Sequence, residues 1–333
     1  MKVIVDLESD GMGLNRLFNK KIIISLLTLL LLTAGTGCTA PAGQQADNDG
    51  RLKVVATTTI VGDVVARVGA DHVALDVLLP VGADPHTYDP APRDVVMIAD
   101  ADVVFASGLG LETFLDTLIE NAGAAGRVVQ VSEGIAFTEL IEKSADEHEG
   151  DADTHQDESR DPHTWTDPNL VMVWVEVMAA RLSDLDPAHA GDYAANAAAY
   201  QVELSTLDTW VRQQVDQIPE AERLIVADHT QYSYFAARYG FTQVGAIIPG
   251  YSTLAEPSVK EMAALQDAVA LLGVKAIFVG SDTNPALAER MAEDTGIKVV
   301  TLYTGSLTAA DGEAPTYIDY IRYNVGAIVE ALR

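Results

Sequence analysis

Residues 187–218 read PAHAGDYAANAAAYQVELSTLDTWVRQQVDQI. Beyond Pro187 and Gly191 the stretch holds no helix breaker. Apolar residues fall at Tyr193, Ala197, Tyr200, Leu204, Leu207, Val211, Val215 and Ile218, in steps of three or four. That spacing places them on one face of an α-helix. Pro187 suits the first helical turn, with Asp186 as its cap. A helix over the whole stretch is roughly 45 Å long, enough to span a domain edge and act as a rigid connector. The plainer alternative is two ordinary helices with an unmarked break.

On either side of this stretch the pattern changes. Short β-branched runs at 53–58, 73–79, 102–106 and 127–131 precede it. Runs at 223–227, 242–247, 275–279 and 297–302 follow it. Helix-length segments separate most of these runs. The alternation predicts an α/β chain of two lobes, each with a mostly parallel four-stranded sheet, joined by one long rigid helix. The resulting boundaries are an N-terminal lobe over 52–186, the connecting helix over 187–218 and a C-terminal lobe over 219–333. A chain of 333 residues suits two domains of about 150 each. Domains of that size fold without a disulfide or metal staple.

Composition narrows the function classes. Acids outnumber bases for a net charge of −28, which argues against a nucleic-acid partner, since that needs a basic stripe. Cys38 is the single cysteine, which excludes an internal disulfide framework and a multi-thiolate zinc site.

The first residues read as a targeting segment. Arg16, Lys20 and Lys21 precede an apolar run over 22–32, about half the ~20 residues that a spanning helix needs. Small residues follow and lead into Cys38. This is a secretory signal over 1–37, and it resembles a bacterial lipoprotein signal in which Cys38 is acylated. Residues 38–51 are rich in Pro, Gly, Gln and Asp and read as a flexible tether. Residues 139–161 form another departure. Acidic side chains far outnumber Lys143 and Arg160, aromatics are absent, and His148 and His155 are interspersed. That composition predicts a disordered acidic loop, either a weak metal collector or a simple solvated insertion.

Chemistry concentrates in the histidines. Asp84-Pro85-His86-Thr87-Tyr88-Asp89-Pro90 is echoed by Asp161-Pro162-His163-Thr164-Trp165-Thr166-Asp167-Pro168. A proline before each His stiffens the loop and disfavours helix for the preceding Asp. Neighbouring Asp and Thr oxygens suit the second ring nitrogen of a metal-bound imidazole. His229, in Ile225-Val226-Ala227-Asp228-His229-Thr230, lies just past a strand of the second lobe. Ligands in open α/β sheets bind beyond the carboxyl ends of strands. His86, His163 and His229 are thus candidate ligands in a cleft between the lobes, three nitrogens that suit Zn²⁺. His72 and His189 stand in no such phrase and read as structural. Tyr88 and Trp165 read as walls of the cleft. Ser107-Gly108-Leu109-Gly110 lacks the third glycine of a dinucleotide turn, since Thr113 stands there; a tight strand-to-helix turn is the better reading.

Taken together these phrases resemble the zinc/manganese-binding lipoproteins of bacterial ABC importers, sometimes labelled adhesins. Further matching stretches are Gly108-Leu109-Gly110-Leu111-Glu112, Tyr234-Phe235-Ala236-Ala237-Arg238-Tyr239-Gly240 after His229, and Tyr320-Ile321-Arg322-Tyr323-Asn324-Val325. The resemblance implies two α/β lobes joined by a long helix, with the metal between them and ligands at His86, His163 and His229. It implies a monomeric, lipid-anchored, extracytoplasmic protein that delivers its ion to an ABC permease and its ATPase. Manganese-preferring members often carry a carboxylate at the third position, so His229 tilts the choice to zinc, with Mn²⁺ as the alternative. The family's usual fourth ligand is an Asp in the loop after the last strand, where this chain has Gly305. Water or Asp282 is left to complete the shell, and a carboxylate placed at 305 is expected to fall beside the imidazoles. The rival classes are a zinc hydrolase, which needs an open metal position and a general base, and a surface adhesin or metal chaperone with no permease.

Overall fold

The computed structural model describes residues 50–136 and 160–333. The signal segment 1–37, Cys38, the tether up to residue 49, and the acidic loop up to residue 159, with His148 and His155, lie outside the described residues.

The first lobe runs β1 (Leu52–Ala56), α1 (Thr59–Gly69), β2 (Val73–Val77), α2 (Pro92–Asp100), β3 (Val103–Ala106), α3 (Leu115–Ala122) and β4 (Val128–Gln130). Helices α4 (Pro168–Leu185) and α5 (Ala190–Val215) follow. The second lobe runs β5 (Leu224–His229), α6 (Ser233–Tyr239), β6 (Thr242–Ile248), α7 (Val259–Leu272), β7 (Ala276–Gly280), α8 (Ala286–Thr295), β8 (Lys298–Leu302) and α9 (Tyr317–Leu332). The eight expected strands are present, with their ends shifted by no more than two residues. They form two four-stranded sheets of matching order, β2-β1-β3-β4 and β6-β5-β7-β8. Every pairing is parallel.

Side chains alternate across the strands as the two-residue period requires. Val54 and Ala56 of β1 join the main core, while Val55 faces a smaller cluster with Ile98 and Leu118 under α2 and α3. In β5, Ile225 and Ala227 face the main core and Val226 packs with Leu265 and Met291 under α7 and α8. Both faces of each sheet are therefore covered, which parallel sheets require.

The connector has 26 residues, about 39 Å at 1.5 Å per residue. Its expected apolar face is buried from Tyr193 through Val215. It packs along α4 and against α1 and α9. It starts later than the sequence suggests, because Pro187–His189 form a 3₁₀ turn. Asp186 does not cap it. Its carboxylate instead accepts from His189 Nδ1 at 2.6 Å and from the Tyr193 hydroxyl at 3.0 Å, side chains three and seven residues further along.

One main core spans both sheets. Val54 and Phe105 of the first lobe and Ile225 and Phe278 of the second belong to a single apolar cluster, which also holds Trp174, Tyr200, Leu204 and Tyr317. The last helix returns to the first lobe, where the Tyr317 N–H donates to the Asp63 carboxylate of α1 at 3.0 Å. Residues Arg51–Arg333 accordingly form one compact unit.

Candidate metal site

The repeated Asp-Pro-His phrase makes the same local turn twice. The His86 N–H donates to Asp84 Oδ1 at 2.9 Å, and the His163 N–H to Asp161 Oδ1 at 2.9 Å. Proline has no N–H to compete for the carboxylate, so the Asp side chain spans to the histidine amide in an Asx turn. The loop carrying His86 follows β2. His163 comes from no strand end; it opens the 3₁₀ turn Thr164–Thr166 into α4. Asp167 caps that helix, accepting from the Asn169 N–H at 2.9 Å. His229 is the last residue of β5 rather than a residue beyond it.

These two turns and the strand end aim their imidazoles at one point. His86 Nε2 lies 3.2 Å from His163 Nε2, which lies 3.1 Å from His229 Nε2. All three residues are buried. Among the described residues this is the cluster of His, Cys, Asp and Glu able to hold an ion, its donor atoms within 4.8 Å of one another. The space enclosed is about 10 Å³, the scale of one water-sized occupant. Trp165, Gln231, Thr253, Asp282 and Gly305 complete its wall.

Carboxylates fix two of the rings. His163 Nδ1 is 2.7 Å from Asp161 Oδ1, and His229 Nδ1 is 3.0 Å from Asp228 Oδ1. A carboxylate partner assigns the proton to Nδ1 and leaves Nε2 as a bare lone pair. Asp228 is itself a hub. It accepts from the Gly280 N–H and the Thr283 hydroxyl at 2.7 Å each, and from Gln231 Nε2 at 2.7 Å. Burial alone would raise its pKa, but the His229 ring and the Thr283 and Gly280 bonds hold it down at about 2. Burial, reinforced by the two neighbouring rings, pushes the His86 imidazole down to about 2. Burial also lowers His163, against the pull of Asp161. Both rings are thus neutral at physiological pH, the form a metal requires.

The Gly305 expectation needs correction. Its backbone is not left-handed, so the obstacle to a side chain is not torsional. A Cβ there would stand 2.5 Å from Pro85 Cδ and 2.8 Å from Asp282 Oδ2. The carboxylate of Asp282, just beyond β7, already occupies that ground. It accepts from the Gly305 N–H at 2.9 Å and from the Thr304 hydroxyl. Asp282 lines the cavity, and burial raises its pKa.

Tyr88 is not a wall of the cavity. Its hydroxyl donates to Asp94 Oδ2 at 2.8 Å and its ring packs on Phe114, both at the flank of the first lobe. Trp165 does line it, with its indole N–H directed at the Tyr320 hydroxyl, 3.1 Å away. His72 and His189 stack on each other, ring centroids 4.0 Å apart, away from the cavity. Gly108, Leu109 and Gly110 all have positive φ, as a tight turn requires. The turn is held by buried Glu112, which accepts from the Ser107 and Gly108 N–H groups and the Thr57 hydroxyl. Sequence reasoning did not single out Asp161 and Asp228 by number. The available signal was an Asp two residues before His163 and directly before His229.

Residues 54–331 match the family described as ZnuA, zinc-uptake complex component A, periplasmic. The chain belongs to this family. It is 33% identical over 315 residues to the manganese-binding lipoprotein MntA of Halalkalibacterium halodurans, covering 94% of this chain and 99% of that protein. It is 31% identical over 305 residues to MntA of Bacillus subtilis, covering 90% and 95%. Among solved structures it resembles the periplasmic zinc-binding protein TroA of Treponema pallidum, with TM-score 0.74 and 26% identity over 85% of this chain and 99% of that one. Within this family the chain is the extracytoplasmic metal-binding component of an ABC importer and not an enzyme.

Proposed function

We propose that the protein captures Zn²⁺ with His86, His163 and His229, with Asp282 as the fourth donor, and hands it to an ABC permease driven by its ATPase. One observation carries this reading. Asp161 and Asp228 each lie within hydrogen-bond distance of an Nδ1, and the Nε2 atoms of His163 and His229, turned away from those carboxylates, converge to 3.1 Å with His86 Nε2 beside them. A cation placed between them is bound by all three nitrogens at once. Three imidazoles form a nitrogen-rich set that suits zinc, a borderline-soft ion. The small cavity suits a bare ion as cargo. Manganese is the second reading, supported by the oxygen donor Asp282 and by the names of the MntA relatives. Cys38 is the acylated anchor in this reading, the tether 38–51 leads from it, and the protein works as a monomer.

Calorimetric titration with Zn²⁺ tests the site. The parent should bind one ion tightly, and each of His86→Ala, His163→Ala and His229→Ala should weaken binding by at least a hundredfold. Tight binding that survives all three single changes would sink the assignment. In vitro affinity favours zinc over manganese at almost any such site. The physiological ion is therefore read from a host strain lacking the protein, grown under chelation: zinc, and not manganese, should restore growth once the parent chain is returned.

A further inference from the structure

The loop carrying His86 is fastened to the opposite lobe at two points. Near its start, the Gly82 N–H donates to the Ser306 hydroxyl at 2.9 Å. Ser306 also lies 3.2 Å from the Thr59 hydroxyl, which in turn accepts from the Leu307 N–H at 2.8 Å. Near the histidine, the Thr253 hydroxyl donates to Asp84 Oδ2 at 2.6 Å. The other oxygen of that carboxylate holds the His86 N–H. One side chain thus links Thr253 to the backbone of a candidate ligand.

The far end of the link reaches a second ligand. Thr253 belongs to the loop after β6. At Gly250 this loop accepts the N–H of Thr230, the residue after His229, at 3.0 Å. Three hydrogen bonds, joined by the backbone from Gly250 to Thr253, therefore link Thr230 to Asp84 and His86 across the mouth of the cleft. Thr253 is half-buried and lines the cavity. A hydrogen bond to an ionised carboxylate is among the stronger ones a hydroxyl makes. The lobes share a core on the connector side, so relative motion must open them at the strand-end loops. There the Thr253–Asp84 bond has to break before His86 can leave His229.

We propose that Thr253 is a cross-cleft latch, a positioning residue that sets how long the captured ion is retained through its bond to Asp84. The proposal rests on the three-histidine reading above. Its test is the rate at which Zn²⁺ passes from the detergent-solubilised full chain to excess chelator, read by stopped-flow fluorescence, for the parent, Thr253→Val and Thr253→Ser. The isosteric valine should speed release about tenfold while association changes by less than about threefold. Serine, which keeps the hydroxyl, should release like the parent. Equal release by parent and valine variant would overturn the latch, as would a serine variant as fast as the valine one. A second readout needs no metal. Amide exchange in the segment 80–90 of the metal-free chain should be faster in Thr253→Val than in the parent. If the parent takes up no zinc, the metal reading fails by itself; unchanged exchange in that segment would then overturn the latch independently.

Discussion

At the residue scale, the site is defined by which atoms carry protons. His86 and His163 stay neutral in the folded chain because burial disfavours the imidazolium. In the unfolded chain they titrate near the ordinary ~6.5. Below that pH the unfolded state binds more protons than the folded one, so acid favours unfolding. Their penalty is absent above ~6.5 and grows as pH falls, by up to ~1.4 kcal/mol per pH unit for each ring. Asp228 acts in the same direction at lower pH. Its bonds stabilise the fold above the ordinary ~3.9, and that contribution is lost as pH falls through about 2. Urea unfolding of the metal-free chain at pH 7.5, 6.5 and 5.5 should show this loss between the last two values. A flat profile would mean that the rings accept protons inside the folded cavity.

At the element scale, the candidate site is built at the carboxyl ends of β2, β5, β6, β7 and β8, together with the turn before α4. Strand-end loops pack against one another, so a change in one is felt by the next. Gly305→Asp illustrates this. The first atom of the new side chain collides with the Pro85 ring and the Asp282 carboxylate. Overpacking of this kind costs about 1–3 kcal/mol. The variant should be destabilised by that amount in urea, without gaining affinity for zinc or manganese. Gly305→Ala should lose comparable stability, since the Cβ is the offending atom. A stable Gly305→Asp that binds metal more tightly would mean that the β8 loop yields readily and that residue 305 can serve as a ligand.

At the scale of the whole molecule, the shared core decides how the two lobes behave. Because Val54, Tyr200, Phe278 and Tyr317 belong to one apolar cluster, neither lobe can lose its packing without exposing the other's. Calorimetry should show a single cooperative unfolding transition, with calorimetric and van't Hoff enthalpies in agreement. Zinc at a hundred times its dissociation constant should add about 2.7 kcal/mol, seen as a raised midpoint that chelation reverses. Two resolved transitions would contradict the shared core. A midpoint unmoved by zinc would contradict capture by the folded form.

Much of this protein could be read along the chain. The β-branched runs and the three-and-four spacing of 193–218 report local periodicity, which is what makes strands and helices, so both sheets and the connector were legible. The repeated Asp-Pro-His-Thr phrase singled out His86 and His163, and a place at a strand end singled out His229. Three things were decided only in three dimensions. The convergence of the Nε2 atoms to 3.1–3.2 Å depends on how the lobes close, because these residues stand 66 and 77 positions apart. The commitment of Asp186 to His189 and Tyr193, and of Asp161 and Asp228 to imidazole nitrogens, is a choice among hydrogen-bond partners that sequence proximity cannot rank. The exclusion of a side chain at 305 comes from Pro85 and Asp282, which reach it from other loops. Periodicity along the chain specifies elements; distances between atoms of different elements are set by packing, and the chemistry of this cleft depends on those distances.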